Sequence, residues 1–244
     1  MGKEYAFELE VQGAVKTFLT IVDSDESFEY QNIRQSAVMN VYAELCQEAR
    51  KIIGESKTHM METERRAFQE FSGGYIEELD EINNDNLSPS EIVAQEIETR
   101  GAVNSFFKRG DTRLYRFLGK EDFFKNYAMI SDNARRIILK ERKHSMVREQ
   151  TSEQFFGNGT PTAFETRVPF SPAIEAEVVE SVDCYLEHDD CNFKTLSEDD
   201  FFREYAKRSY EARKLAVEKR QEMTATDMLN EQPQPEPVNN HKFI

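Results

Sequence analysis

The first polar–apolar pattern along the chain has a period of two. Tyr5, Phe7, Leu9 and Val11 alternate with Glu4, Glu8, Glu10 and Gln12; Gly13 interrupts, and Val15, Thr17, Leu19 and Ile21 alternate again. Strict alternation is the mark of a half-buried strand, so it predicts a β-hairpin over residues 4–22. A loop from Gln12 to Ala14 pairs Val11 with Val15 and puts both apolar rows on one face, whereas a tighter loop would place Lys16 among them. A lone hairpin is marginal, so it is expected to pack on helices.

From Ile33 the period turns helical. Ala37, Val38, Val41, Tyr42, Leu45, Ala49 and Ile52 form one stripe. Gly54 is expected to end that helix, and a second is expected from Thr58 to Phe71, before Gly73 and Gly74. Ser88-Pro89-Ser90-Glu91 combines a cap, a proline at the first helical position and a capping-box acid; the helix it opens should reach Phe107. Short helices are expected around Tyr115 and Phe124, separated by Gly119, and a longer one from Ser131 through Phe155. The prolines around residues 163–169 bound an expected edge strand. Ala173 to Leu186 and Glu198 to Met223, the latter capped by Ser197, read as the last helices. Helices thus fall at about 33–156 and 172–224. No internal repeat is apparent at solenoid spacing.

The expected fold is mainly α with a small β element, an N-terminal hairpin on a multi-helix bundle. Residues 1–224 would form a single domain. Residues 225–244, with little apolar material, would form a flexible tail.

Composition narrows the class. The chain has 244 residues, 18 of them Phe and none Trp, and a formal net charge of −15. Such a balance argues against a general nucleic-acid coat or a binder of acidic membranes. Three cysteines cannot all pair within one chain, and no apolar run approaches a secretory signal or a membrane span. A reducing, cytoplasmic setting is expected, either a host cytoplasm or a virion for a virus-encoded protein.

The charge is segregated. Residues Arg100 to Arg148 hold 13 Lys or Arg against 5 Asp or Glu, a net +8, which leaves −23 for the rest. Phe106, Phe107, Tyr115, Phe117, Phe123, Phe124 and Tyr127 are interleaved with these charges. Rings among basic groups suit single-stranded nucleic acid. An acidic protein suits them too, and so do the chain's own acidic helices. Arg109, Arg113, Arg116, Arg136, Lys140 and Lys143 are the candidate partner-binding residues, the last three lining one helical stripe.

For catalysis, the sequence shows no Gly-rich phosphate loop, no GxSxG elbow and no paired CxxC. Cys46 falls beside the apolar stripe of its helix and is expected in the core. Cys184, His188 and Cys191 could share a helical face as a zinc site, although the acids between them favour a turn. His144, followed later by His188-Asp189, resembles the metal-binding arrangement of HD-type phosphohydrolases. That resemblance implies a divalent metal held by His144, His188 and Asp189, with Asp227 as a fourth ligand, activating water on a phosphate ester. The residue readings together favour a non-catalytic interaction protein, an assembly, adaptor or regulatory factor of phage type. It would need no cofactor and would dock through residues 100–148 on a protein partner or another copy of itself. Nucleic acid is the further alternative, and no membrane role is expected.

Overall fold

A computed structural model describes residues 2–23, 35–71, 87–109, 115–156, 171–188 and 192–230. They form six α-helices: α1 (Gly2–Asp23), α2 (Gln35–Phe71), α3 (Pro89–Phe107), α4 (Lys120–Phe156), α5 (Pro172–His188) and α6 (Glu198–Asn230), with a 3-10 turn at Asn192–Thr195 before α6. Among the described residues there is no strand. The bundle expected from the helical periods is present; the N-terminal hairpin is not.

Residues 4–22 are helical, which corrects the hairpin. The alternation arose because α1 is covered on more than one side. It packs against α2, α3 and α4, so Leu9, Val11, Ala14, Val15, Phe18 and Ile21 are all buried. A narrow stripe of Tyr5, Gln12, Lys16 and Thr20 stays exposed. On a helix with so wide an apolar arc, positions two apart are often both buried. Gly13 does not turn the chain. A β-carbon there would lie 2.7 Å from Tyr127 Oη and 2.9 Å from Arg100 Cγ, so glycine lets α3 and α4 approach α1.

Two other expected breaks are absent. α2 runs through Gly54, beside which Ile52 and Ile53 are buried. α4 runs through Ser131, and Gly119 instead precedes the helix, its carbonyl accepting from Phe123 N at 2.9 Å. The cap at α3 forms as the sequence implies: Glu91 N donates to Ser88 Oγ at 3.3 Å and Ser88 N to Glu91 Oε2 at 2.8 Å. At α6, Asp200 N donates to Ser197 Oγ at 3.2 Å. The expected strand at 163–169 and most of the 225–244 tail lie outside the described residues, and α6 continues to Asn230.

The helices form two layers, α1–α3–α5 and α2–α4–α6, with α1 on α2, α3 on α4 and α5 on α6. Within each layer the helices run parallel. Thr17 of α1 meets Asn104 of α3 at 2.7 Å, and Ser105 of α3 meets Asp183 of α5. In the other layer Glu48 and Glu64 of α2 pair with Lys120 and Arg136 of α4, at 2.5 and 3.4 Å. Partners across the layers run antiparallel: the ring of Phe107 at the end of α3 lies 5.5 Å from that of Phe123 at the start of α4, while Glu96 reaches Arg135 at 3.0 Å. The molecule is therefore three helical hairpins set side by side.

The hairpins also repeat in sequence, which a scan at short periods misses. Leu9–Leu19, LEVQGAVKTFL, matches Ile97–Phe107, IETRGAVNSFF. LGKEDFFKNYAMISDNARRI, residues 118–137, matches LSEDDFFREYAKRSYEARKL, residues 196–215, and VYAELCQEARKI, residues 41–52, follows the same plan. The period is longer than the roughly 20–50 residues of common solenoid units.

Candidate functional site

The matched positions that carry charge meet at the two seams between hairpins. In each hairpin two acids, two residues apart on the first helix, hold two cations seven residues apart on the second. In the first, Glu8 holds Arg50 through two hydrogen bonds of 2.7 Å, and Glu10 pairs with Lys57. In the second, Glu96 pairs with Arg135 at 3.0 Å and Glu98 with Arg142. In the third, Glu175 holds Arg213 at 2.6 and 2.9 Å, and Glu177 holds Arg220 at 2.7 Å.

Each seam joins two of these sets. Glu10 of the first hairpin also reaches Arg135 of the second at 3.6 Å, and Glu98 of the second reaches Arg213 of the third at 3.3 Å. Arg142 reaches Glu175 at 3.4 Å. The clusters Glu10–Lys57–Glu96–Arg135 and Glu98–Arg142–Glu175–Arg213 are thus equivalent. Each has two acids from one layer and two cations from the other. Glu98 and Glu175 are 0 % exposed and Arg213 2 %, so neutrality within the cluster is what makes their burial tolerable.

The environment shows in proton affinities. Burial raises the Glu96 carboxyl, Arg135 pulls it back, and Glu10 adds to the rise. Arg135 suffers burial too, but Glu96 and Glu10 outweigh it and hold its proton more firmly than usual. Burial and then the neighbouring Arg213 weaken the hold of Arg142. Burial, then the Glu10 charge, push the Tyr127 hydroxyl upward. These carboxylates are engaged by guanidinium and ammonium groups, an arrangement that fixes helices together.

Packing repeats with the charges. Phe18 lies 5.3 and 5.5 Å from Phe123 and Phe124, and Phe106 lies 5.7 and 5.4 Å from Phe201 and Phe202. Gly13 admits Tyr127 at one seam and Gly101 admits Tyr205 at the other, where a β-carbon would sit 2.7 Å from the tyrosine oxygen.

The basic segment is divided by this architecture. Phe106, Phe107, Phe123, Phe124 and Tyr127 are core, Tyr115 packs against it, and Phe117 is exposed. Arg109 is buried rather than presented to a partner: it donates to the carbonyls of Lys194 and Leu196 at 3.3 and 2.7 Å and lies over the rings of Phe106 and Phe201. Arg116 is half-buried, and Arg113 lies outside the described residues. Arg136, Lys140 and Lys143 remain exposed on α4. Arg136 is shared with Glu64 and Asp132, each at 3.4 Å.

The candidate metal ligands do not assemble. His144 is exposed on α4, two residues past Arg142, which touches Glu175. His188 ends α5, further along by about 20 Å at the helical rise. Asp189 and Cys191 lie outside the described residues, and Asp227 belongs to α6. Cys184 is exposed and Cys46 half-buried against the core; both are free thiols. Among the described residues no group of three or more His, Cys, Asp or Glu could hold a metal. No helix there is long and apolar enough to cross a membrane.

No protein-family model, curated protein or solved structure matches the chain.

Proposed function

We propose that this chain is a non-catalytic interaction protein, a stack of helical hairpins that docks on an acidic protein surface through the outer face of α4. The observation that carries the reading is the contrast within residues 100–148. Arg109, Arg135 and Arg142 are spent inside the fold on backbone carbonyls and seam carboxylates. Arg136, Lys140 and Lys143 form an exposed stripe at spacings of four and three, in which Arg136 also reaches Glu64 and Asp132 at 3.4 Å. Stacked helical repeats characteristically use such extended faces for binding. The rings that would stack on bases are mostly core, which favours a protein over a nucleic acid.

The test is affinity capture with the wild-type chain and with Arg136→Glu/Lys140→Glu/Lys143→Glu, both confirmed folded by circular dichroism. A partner held by the wild type and lost by the variant is the expected result. Equal capture by both would remove the stripe from the interface. Capture of nucleic acid, with affinity falling steeply as salt rises, would replace the protein partner.

A further inference from the structure

The repeat makes a specific statement about the two ends of the stack. Every seam is built from an outgoing face on one hairpin and an incoming face on the next. The outgoing positions are Glu10, Gly13, Thr17 and Phe18 in the first hairpin and Glu98, Gly101, Ser105 and Phe106 in the second. The incoming positions are Phe123, Phe124, Tyr127 and Arg135 in the second hairpin and Phe201, Phe202, Tyr205 and Arg213 in the third.

The first hairpin carries its own incoming face with no preceding hairpin among the described residues. Its equivalents are Val38, Met39, Tyr42 and Arg50. They are 48 %, 81 %, 37 % and 44 % exposed, where Phe123, Phe124 and Tyr127 are at most 1 %. The third hairpin carries the outgoing face, Glu177, Glu180, Cys184 and Tyr185, and all four are exposed. The two ends match in charge. Exposed Arg50, held within the chain by Glu8, and Lys16 lie at the incoming end, and Glu177, held by Arg220, and Glu180 at the outgoing one, as the seam charges within the chain are also each held by their own hairpin.

We propose that the chain associates head to tail, the α5–α6 end of one copy docking on the α1–α2 end of another as a further seam. In it Glu177 of one copy reaches Arg50 of the next, as Glu10 reaches Arg135 and Glu98 reaches Arg213. Tyr185 packs on Val38 and Met39, as Phe18 packs on Phe123 and Phe124. The occupant is a second copy because the outgoing face follows the plan of the two seams already formed within the chain. Some positions depart from that plan: Glu180 stands where Gly13 and Gly101 admit a tyrosine, Cys184 replaces the hydroxyls of Thr17 and Ser105, and Val38 and Met39 replace the paired phenylalanines. This seam is therefore looser than the internal two, and association is reversible and concentration-dependent. Such a contact is heterologous and does not close on itself by symmetry, so it produces open chains rather than a fixed dimer.

Sedimentation velocity across a concentration series tests the proposal. The wild-type chain is expected to shift to larger species continuously as concentration rises. Arg50→Glu alone and Glu177→Arg alone are each expected to stay monomeric, because like charges then face each other. An equimolar mixture of the two is expected to associate again, since one contact is native and the other has its charges swapped. Circular dichroism melts confirm that each variant is folded. Met39→Glu, exposed and remote from the ion pairs, supplies an independent block. A wild-type chain that remains monomeric at every concentration overturns the proposal, including the case in which another segment of the same chain covers the incoming face. Single variants that associate as well as the wild type, or a fixed dimer, overturn it as well.

Discussion

Among the described residues Gly13, Gly54 and Gly101 lie in helix interiors, and the structure assigns opposite signs to the same substitution at different ones. At Gly101 a β-carbon would meet Tyr205 Oη and both methyls of Val179 at 2.7 Å. Ordinary carbon contacts sit at roughly 3.5–4.0 Å, so α5 and α6 would have to retreat by about 1 Å. Val179 is β-branched and cannot swing aside. Overpacking of this kind costs about 1–3 kcal/mol, while replacing glycine by alanine in a helix returns about 0.8–1.0 kcal/mol. With three rigid atoms in the way the cost prevails, and Gly101→Ala should lose about 1–2 kcal/mol. At Gly54 the nearest atom to the added carbon is Phe7 Cζ at 3.8 Å, an ordinary contact. Gly54→Ala should therefore gain about 0.5–1 kcal/mol. Thermal melts followed by the helical circular-dichroism band should separate the two variants by about 3–12 °C, at about 2–4 °C per kcal/mol for a chain of this size. If Gly101→Ala melts at or above Gly54→Ala, the close seam between α3 and the third hairpin is not real.

Arg213→Met should leave Glu98 and Glu175 buried with too little positive charge and cost about 3–5 kcal/mol in urea unfolding. Replacing Glu98, Arg142, Glu175 and Arg213 together by apolar residues of similar volume should cost far less than that single change. Ser88→Ala removes the oxygen that accepts from Glu91 N and should cost about 1 kcal/mol in the same assay. The hydrogen bond from Arg50 holds the Glu8 carboxyl below its ordinary range. That contribution is present above the ordinary carboxylate value and lost as pH falls through the lowered one. The stability gap between wild type and Glu8→Gln should therefore be widest at neutral pH and close in acid, and a gap independent of pH would contradict it.

What the sequence disclosed depended on whether a signal was local. Ser88, Pro89 and Glu91 announce α3 because a cap involves only neighbours in the chain. Gly13, Gly54 and Ser131 are ambiguous in sequence because a glycine or a polar residue can stand at a turn, at a tight helix crossing such as that of Gly13, or in an ordinary helix interior such as that of Gly54. Tyr127 and Arg100 decide between these for Gly13. The basic segment was visible as a charge excess, but Arg109 and Arg136 look alike in sequence; one meets carbonyls inside the fold and the other lies exposed on α4 between Glu64 and Asp132. The hairpin repeat was present in the letters throughout. Tyr127 with Tyr205, Ala128 with Ala206 and Arg135 with Arg213 are identical because all six lie at or near the seams, whereas exposed neighbours such as Met129 and Lys207 have diverged.

The seam charges also fix where the hairpins stop sliding. Three parallel helices in a layer, packed through leucine, valine and phenylalanine, present much the same apolar surface after a shift of one turn, about 5.4 Å. Carboxylates and guanidinium groups do not tolerate that shift. It would carry Glu98 away from Arg213 and strand both in an apolar setting. The clusters thus act as keys that admit one axial register for each neighbour. A hairpin pulled along its axis should resist abruptly and then give way, rather than creep.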